Sequence, residues 1–258
     1  MDTTSQASLH AAGVAELLWT VPGGPPGATG VVPLVLGGRA AVALPWAQVT
    51  TARAAAAAGS AALVLSDPRV TGPRWAPLAL RGRLTLVEDG TGELFTEELL
   101  DQELRKHPPS RALADSHMLR REHWWYLPRL VLVLDAEAAV PVDRREGPAD
   151  AVLGIDDGGL HVRTVRVDDW DADPLELRGG PDDAAGPAVL VGQEVSVPDL
   201  ERWTVHTTTG SYAEGRLTAV RPAATRRLEP VPGLLARIRR QRSLERTCVQ
   251  ALRAAGHG

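Results

Sequence analysis

The sequence predicts a mostly β protein with short helices, built as two β-rich units. Three observations carry this. Strand-favouring apolar runs bounded by glycine and proline recur along the chain, while helical stretches are few. The 258 residues are 44% apolar, enough for one large core or two small ones. A charged, proline- and glycine-containing stretch, 136–150, reads as a linker, dividing the chain into residues 1–140 and 141–258.

Taken in order, residues 1–13 form a disordered or loosely helical lead-in. AELLWTV (15–21) is a strand ended by the breaker PGGPPG. ATGVVPLVL (28–36) and RAAVALPW (39–46) pair through Gly37-Gly38, since glycine supplies the positive φ that a two-residue hairpin requires. VTTARAAAAAG (49–59) is a helix of strong formers, capped by Thr50 or Thr51 and stopped at Gly59. SAALVLSD (60–67) is a buried-type strand. RWAPLALRGRLTLVED (74–89) is one long strand with a bulge or barrel corner at Gly82. Phe95, Leu99, Leu100 and Leu104 mark an amphipathic helix within 91–106, ended by Pro108-Pro109. HWWYLPRLVLVLD (123–135) is the last strand of the first unit, with one of Trp124 and Trp125 facing inward and the other outward.

The second unit offers AVLGI, a DDGG turn, LHVRTVRVDDW, PLELRG, PAVLVGQEVSV and RWTVHTTTGSYAEGRLTAV as strands, then an arginine-rich amphipathic helix over 231–255. Residues 59–87 and 186–220 share a pattern: glycine and an apolar strand, a polar loop, then Arg-Trp and a long strand with Gly82 or Gly210 seven residues after Trp75 or Trp203. Gly37-Gly38 has an apparent counterpart in Gly158-Gly159. Two readings stand: the second unit is a degenerate repeat, making the chain an internal pseudo-dimer, or the two are unrelated β-meanders.

Net charge is −4, so no basic excess is available for a nucleic-acid backbone. The N-terminus lacks a basic-then-apolar leader, and no run approaches the length of a membrane helix; the expectation is a cytoplasmic protein with no nucleic-acid or membrane partner. Cys248 is the sole cysteine, which excludes an internal disulfide and a thiolate zinc site. It falls on the inner face of the last helix, as a packed thiol.

The order of elements over 15–136 resembles the pyridoxamine 5′-phosphate oxidase-like split β-barrel, including the deazaflavin-dependent reductases common in actinobacteria. LLWTV is similar to that family's first strand, ATGVVPLVL and RAAVALPW to its second and third, TTARAAAAAGSAALVLSDPR to its helix-then-strand segment, RWAPLALRGRLTLVED to its long strand, and REHWWYLPRLVLVLD to its closing strand. The resemblance implies a flavin-type oxidoreductase of unknown substrate, paired as a homodimer or an internal pseudo-dimer. It implies a phosphate site at Thr50, Thr51 and Arg53, with Arg81 or Arg83 in support, and a ring site along Val31, Val32, Pro33, Leu44, Pro45 and Trp46. FMN is the expected cofactor, with deazaflavin, haem or none as alternatives. Thr50-Thr51 stands where the family often carries a basic residue, which favours a cofactor-free binding or scaffold protein as the second reading. A haem relative would use His117 or His123.

The remaining constellations are weak. His107, His117 and His123 have no compact metal-ligand spacing, and Asp156-Asp157, Asp168-Asp169 and Asp182-Asp183 read as solvated turns. No metal site is expected, and no nucleophile elbow surrounds Ser60, Ser66 or Ser211.

Overall fold

The computed structural model describes residues 1–221 and 226–257; residues 222–225 and 258, which fall in the second unit, lie outside the described residues. The architecture is mostly β with short helices: a seven-stranded sheet and a closed barrel.

The lead-in is ordered. α1 (Thr3–Ala11) starts at Asp2, whose carboxylate accepts the Ser5 N–H, and it buries Ser5, Ser8 and Leu9. β1 (Ala15–Val21) turns at Pro22-Gly23 into β2 (Gly24–Val31), so the breaker is a tight turn and its second half already strand. The predicted strand 28–36 divides at Val32-Pro33, because proline has no N–H for a ladder. β3 (Leu34–Leu36) then joins β4 (Arg39–Pro45) through Gly37-Gly38, both at positive φ as expected. α2 (Val49–Ala56), β5 (Ala61–Leu65) and β6 (Leu78–Asp89) follow.

Residues 95–106 are helical, ending in α3 (Leu100–Lys106). After α4 (Arg111–Ala114) and α5 (His117–Glu122), Trp124–Tyr126 form a 3-10 turn instead of a strand start. Trp125 is buried and Trp124 exposed. β7 (Arg129–Pro141) begins after Pro128 and runs on into the first part of the predicted linker.

The sheet order is β2-β1-β5-β6-β7-β4-β3. Its two edge strands, β2 and β3, are consecutive in the chain and joined by Val32 and Pro33 alone. A link this short spans about 10 Å, so the sheet must curl until its edges meet. That is a split barrel. Its core includes Trp19, Trp46, Phe95, Trp125 and Tyr126.

The second unit contains β8 (Asp150–Asp156), β9 (Leu160–Val167), β10 (Leu175–Arg178), β11 (Gly186–Val195), β12 (Trp203–Ala213) and β13 (Arg216–Arg221), closed in the order β10-β13-β12-β11-β8-β9. Substituting β8, β9, β10, β11, β12 and β13 for β1, β2, β4, β5, β6 and β7 reproduces the strand order of the first sheet. Residue pairing agrees. Ala61 opposes Gly82 in one unit and Ala188 opposes Gly210 in the other, each glycine at a bulge. A Cβ at Gly82 would lie 2.0 Å from the Asp135 carbonyl oxygen, and one at Gly210 2.0 Å from that of Thr218. In this register the Gly158-Gly159 turn, joining β8 to β9, corresponds to Pro22-Gly23 and not to Gly37-Gly38.

The outer faces of the two units pack together through Leu18, Ala62, Val64 and Ala79 on one side and Val152, Leu160, Val162, Val189 and Val191 on the other. Leu18 and Gly154 hold equivalent registers, opposite Ala62 and Val189. They also meet each other: a Cβ at Gly154 would be 2.6 Å from Leu18 Cδ2. Equivalent residues in mutual contact mark a pseudo-twofold axis. Arg145, from the supposed linker, is buried on this interface and donates to Glu16 Oε1 at 2.9 Å.

The C-terminal helix α6 (Leu234–Ala254) follows the second unit in sequence but packs on the first. Cys248 and Leu252 join the core that holds Trp46, as the inward placement of Cys248 predicts.

Candidate functional site

The residues suggested for a cofactor are distributed over separate surroundings. Val31, Leu44 and Trp46 are packed in the first barrel's core. Val32 packs against that core, and Pro45 precedes the 3-10 turn Trp46–Gln48. The Pro33 carbonyl accepts from Lys106 Nζ at 2.6 Å. Trp46 lies edge-on to His257, with ring centroids 5.4 Å apart, and the backbone of Ala47 and Trp46 hydrogen-bonds the Cys248 sulphur. Burial pushes that thiol's pKa up. The end of α6 therefore covers the turn that leads into α2.

At the start of α2, neither Thr50 nor Thr51 provides the cap; the capping position is Gln48, with no side-chain hydrogen bond. Arg53 donates to Glu88 Oε1 at 2.8 Å. Its cation already has a carboxylate partner in a surface ion pair. Arg83 is exposed and 3.8 Å from Glu137, on another part of the sheet.

Arg81 is placed differently. Strand alternation sets it on the face of β6 that carries Ala79, toward the second unit. With Val140 it forms one side of a pocket of about 260 Å³. The other side comes from the second unit: Leu153 and Ile155 of β8, His161, Val162 and Arg163 of β9, and Asp157, Asp183 and Ala184 from loops. Among the described residues, no ion pair engages Arg81 or Arg163. The cleft is thus lined by two guanidinium groups without an ion pair, an imidazole and two carboxylates, beside apolar side chains. Its volume is slightly below the common range for sites that enclose a whole drug-sized molecule. Sequence reasoning singled out Arg81 but not His161 or Arg163. The available signal was their i, i+2 spacing on one face of β9.

A second polar group centres on the buried Ser110, Glu103 and Tyr126. Ser110 Oγ donates to Glu103 Oε1 at 2.8 Å, accepts from the Tyr126 hydroxyl at 2.7 Å and lies 2.8 Å from His107 Nδ1. The Arg129 guanidinium stacks 3.8 Å from the Tyr126 ring centre. Burial drives the Tyr126 pKa up and that of His107 down. This cluster cross-braces the helical side of the barrel. His117 is exposed, and His123 Nε2 is 3.0 Å from Gln241 Nε2. No group of three or more His, Cys, Asp or Glu among the described residues is arranged to hold a metal ion.

No family model matches this chain, and no curated protein matches it. Among solved structures, the chain is similar to a heme binding protein from Mycobacterium smegmatis at 12% identity, with 96% of each chain covered and a TM-score of 0.37. It is also similar to a pyridoxamine 5′-phosphate oxidase-related, FMN binding protein from Nostoc punctiforme PCC 73102 at 12% identity, over 79% of this chain and 90% of that one, with a TM-score of 0.30. Likeness at this level assigns no ligand to the chain. No helix among the described residues is long and apolar enough to cross a membrane.

Proposed function

We propose that this chain is a binding protein for a small anionic molecule held in the cleft between its two barrels. The observation that carries the reading is that Arg81 of the first unit and His161 and Arg163 of the second line one cleft, with no ion pair to either arginine among the described residues. A carboxylate or phosphate gains charge-assisted hydrogen bonds there. Asp157 and Asp183 in the same lining suit a ligand that also carries hydroxyl or amine donors.

The flavin or deazaflavin oxidoreductase is the second reading. Its support is the split-barrel strand order and the position of Arg81 between the units. Against it stand the Arg53–Glu88 pair and the covering of the Trp46 turn by α6. Calorimetric titration with FMN, reduced deazaflavin and inorganic phosphate separates the two. The binding-protein reading predicts that any anion bound is weakened at least about tenfold by Arg81→Ala and unaffected by Arg53→Ala, the loss expected for one charge-assisted contact. Micromolar FMN binding abolished by Arg53→Ala overturns it and restores the helix-start site. A haem ligand would announce itself by a sharp absorption band that His117→Ala or His123→Ala removes.

A further inference from the structure

Lys106 is the only lysine in a chain whose other 27 Lys-plus-Arg cations are arginines. It ends α3, and its Nζ donates to two backbone carbonyls, Leu9 at 2.5 Å and Pro33 at 2.6 Å. One turn earlier, Gln102 donates to Val35 O at 2.7 Å and accepts from Val35 N at 2.9 Å. Together these side chains close the free edge of β3, a structural task. An arginine or glutamine also supplies such donors, so edge closure alone does not call for an amine.

The same lysine lines a pocket of about 400 Å³ with His10, Ala11, Gly13, Val70, Thr71, Gln102 and Arg105. None of the residues named there is acidic. This pocket shares no residue with the cleft between the barrels. The charged and titratable groups facing it are His10 on α1 and Arg105 on α3; Val70 and Thr71 bring no charge. Glu103, on the same helix, is turned away into the Ser110–Tyr126 cluster, and Asp67 is engaged by Arg69. Burial, then the nearby Arg105 charge, lowers the Lys106 pKa to about 7. A neutral amine has two N–H groups, and both are matched by the Leu9 and Pro33 carbonyls. In that neutral form the remaining tetrahedral position on Nζ carries the lone pair.

We propose that Lys106 is a covalent capture site for small anionic carbonyl compounds, which form an imine on Nζ while Arg105 and His10 attract the anionic group. The Nζ lone pair forms the C–N bond at the carbonyl carbon, and one amine proton passes to the oxygen. The carbinolamine C–O bond then breaks, the second amine proton leaves with it as water, and a C=N bond remains. Nothing is oxidised or reduced in this step.

The test is incubation of the full chain with glyoxylate and cyanoborohydride, followed by peptide mapping by mass spectrometry. The α-amino group serves as internal reference. The proposal predicts a stable adduct on Lys106 at pH 7, formed at least about tenfold faster than on free Nα-acetyl-lysine, whose side chain is almost wholly protonated there. The rate should rise with a midpoint near pH 7, and uncharged propionaldehyde should react more slowly than glyoxylate. A folded chain modified only at its N-terminus, or a Lys106 rate still climbing above pH 9, overturns the proposal. Lys106→Arg keeps the edge donors and removes the nucleophile. Loss of the internal adduct in this variant, with an unchanged melting temperature, separates capture from edge closure. An internal adduct that persists in it overturns the assignment.

Discussion

The two barrels share a strand order but solve closure differently. The first leaves a seam, bridges it with Val32-Pro33, and surrounds itself with helices that fill it with Trp46, Phe95 and Trp125. The second closes by pairing β10 with β9, packs no helix against its core among the described residues, and is filled by smaller aliphatic side chains and Tyr212. Near the axis the divergence has direction. Leu18 meets Gly154, a knob opposite a hole where two identical halves would meet like with like. Trp19 holds the register of Ile155, and its indole lies over Gly27, where a Cβ would be only 2.3 Å from it. Ile155 instead borders the cleft that holds Arg163. Equivalent positions have thus come to differ in bulk, and a cleft lines the side where the residue is smaller.

The polar part of the interface is also built from equivalent positions. Ser66 and Gln193 correspond, and both donate to Glu16, at 3.2 and 2.8 Å. Asp67 and Glu194 correspond, and both pair with Arg69 at 2.7 Å. Arg145 is 3% exposed and completes the set on Glu16. Removing it leaves a buried carboxylate without its cation. Arg145→Ala should therefore have the largest effect, a loss of about 3–5 kcal/mol in urea unfolding. A loss under 1 kcal/mol would mean that the interface does not depend on this pair.

The next effect separates the second barrel from the first through pH. His206 of β12 is buried with no partner for either ring nitrogen among the described residues, and burial, then the charges of Arg145 and Arg226, lowers its pKa to about 4. A folded-state pKa below the unfolded value means the contribution is complete above about pH 6.5 and is lost as pH falls toward 4, by roughly 3 kcal/mol at most. His206→Leu should flatten stability between those limits. An unchanged slope would move the titration to another group.

Gly82→Ala and Gly210→Ala test whether the bulges are twins. Each new Cβ meets a backbone oxygen at 2.0 Å, so each should cost about 1–3 kcal/mol, and by similar amounts. A large cost in one barrel and none in the other would break the equivalence. Gly154→Leu should cost about 1–3 kcal/mol by overpacking, part of it recovered when combined with Leu18→Ala. Additive losses would mean the two positions do not touch. The smallest effect belongs to Arg53→Ala, an exposed pair with Glu88 whose loss should leave the melting temperature unchanged.

Much of the fold was legible because its signals are local. Gly37-Gly38 can be read from glycine's tolerance of positive φ, and Gly82 and Gly210 from glycine inside long strands. The order of strands followed from the apolar runs. Pro33 was visible too, but its consequence was not: a strand broken there sends its halves to opposite edges of one sheet. The helix over Trp46 was hidden because α6 is about 200 residues from the turn it covers. The site was less legible than the fold. Arg81 was named with Arg83 in support of the phosphate site, whereas Arg163, His161 and Lys106 acquire their surroundings only when distant segments meet. Lys106 did stand out as the solitary lysine, a signal that composition offered and motif reading passed over.

In this fold the two halves satisfy each other as an internal dimer about Leu18 and Gly154. Light scattering of the purified chain, alone and as Gly154→Leu, tests it most directly. The expected result is a monomer of 27.5 kDa in both cases, with the variant less stable. A stable dimer that Gly154→Leu dissociates would contradict it, since the contact would then join two chains instead of two halves of one.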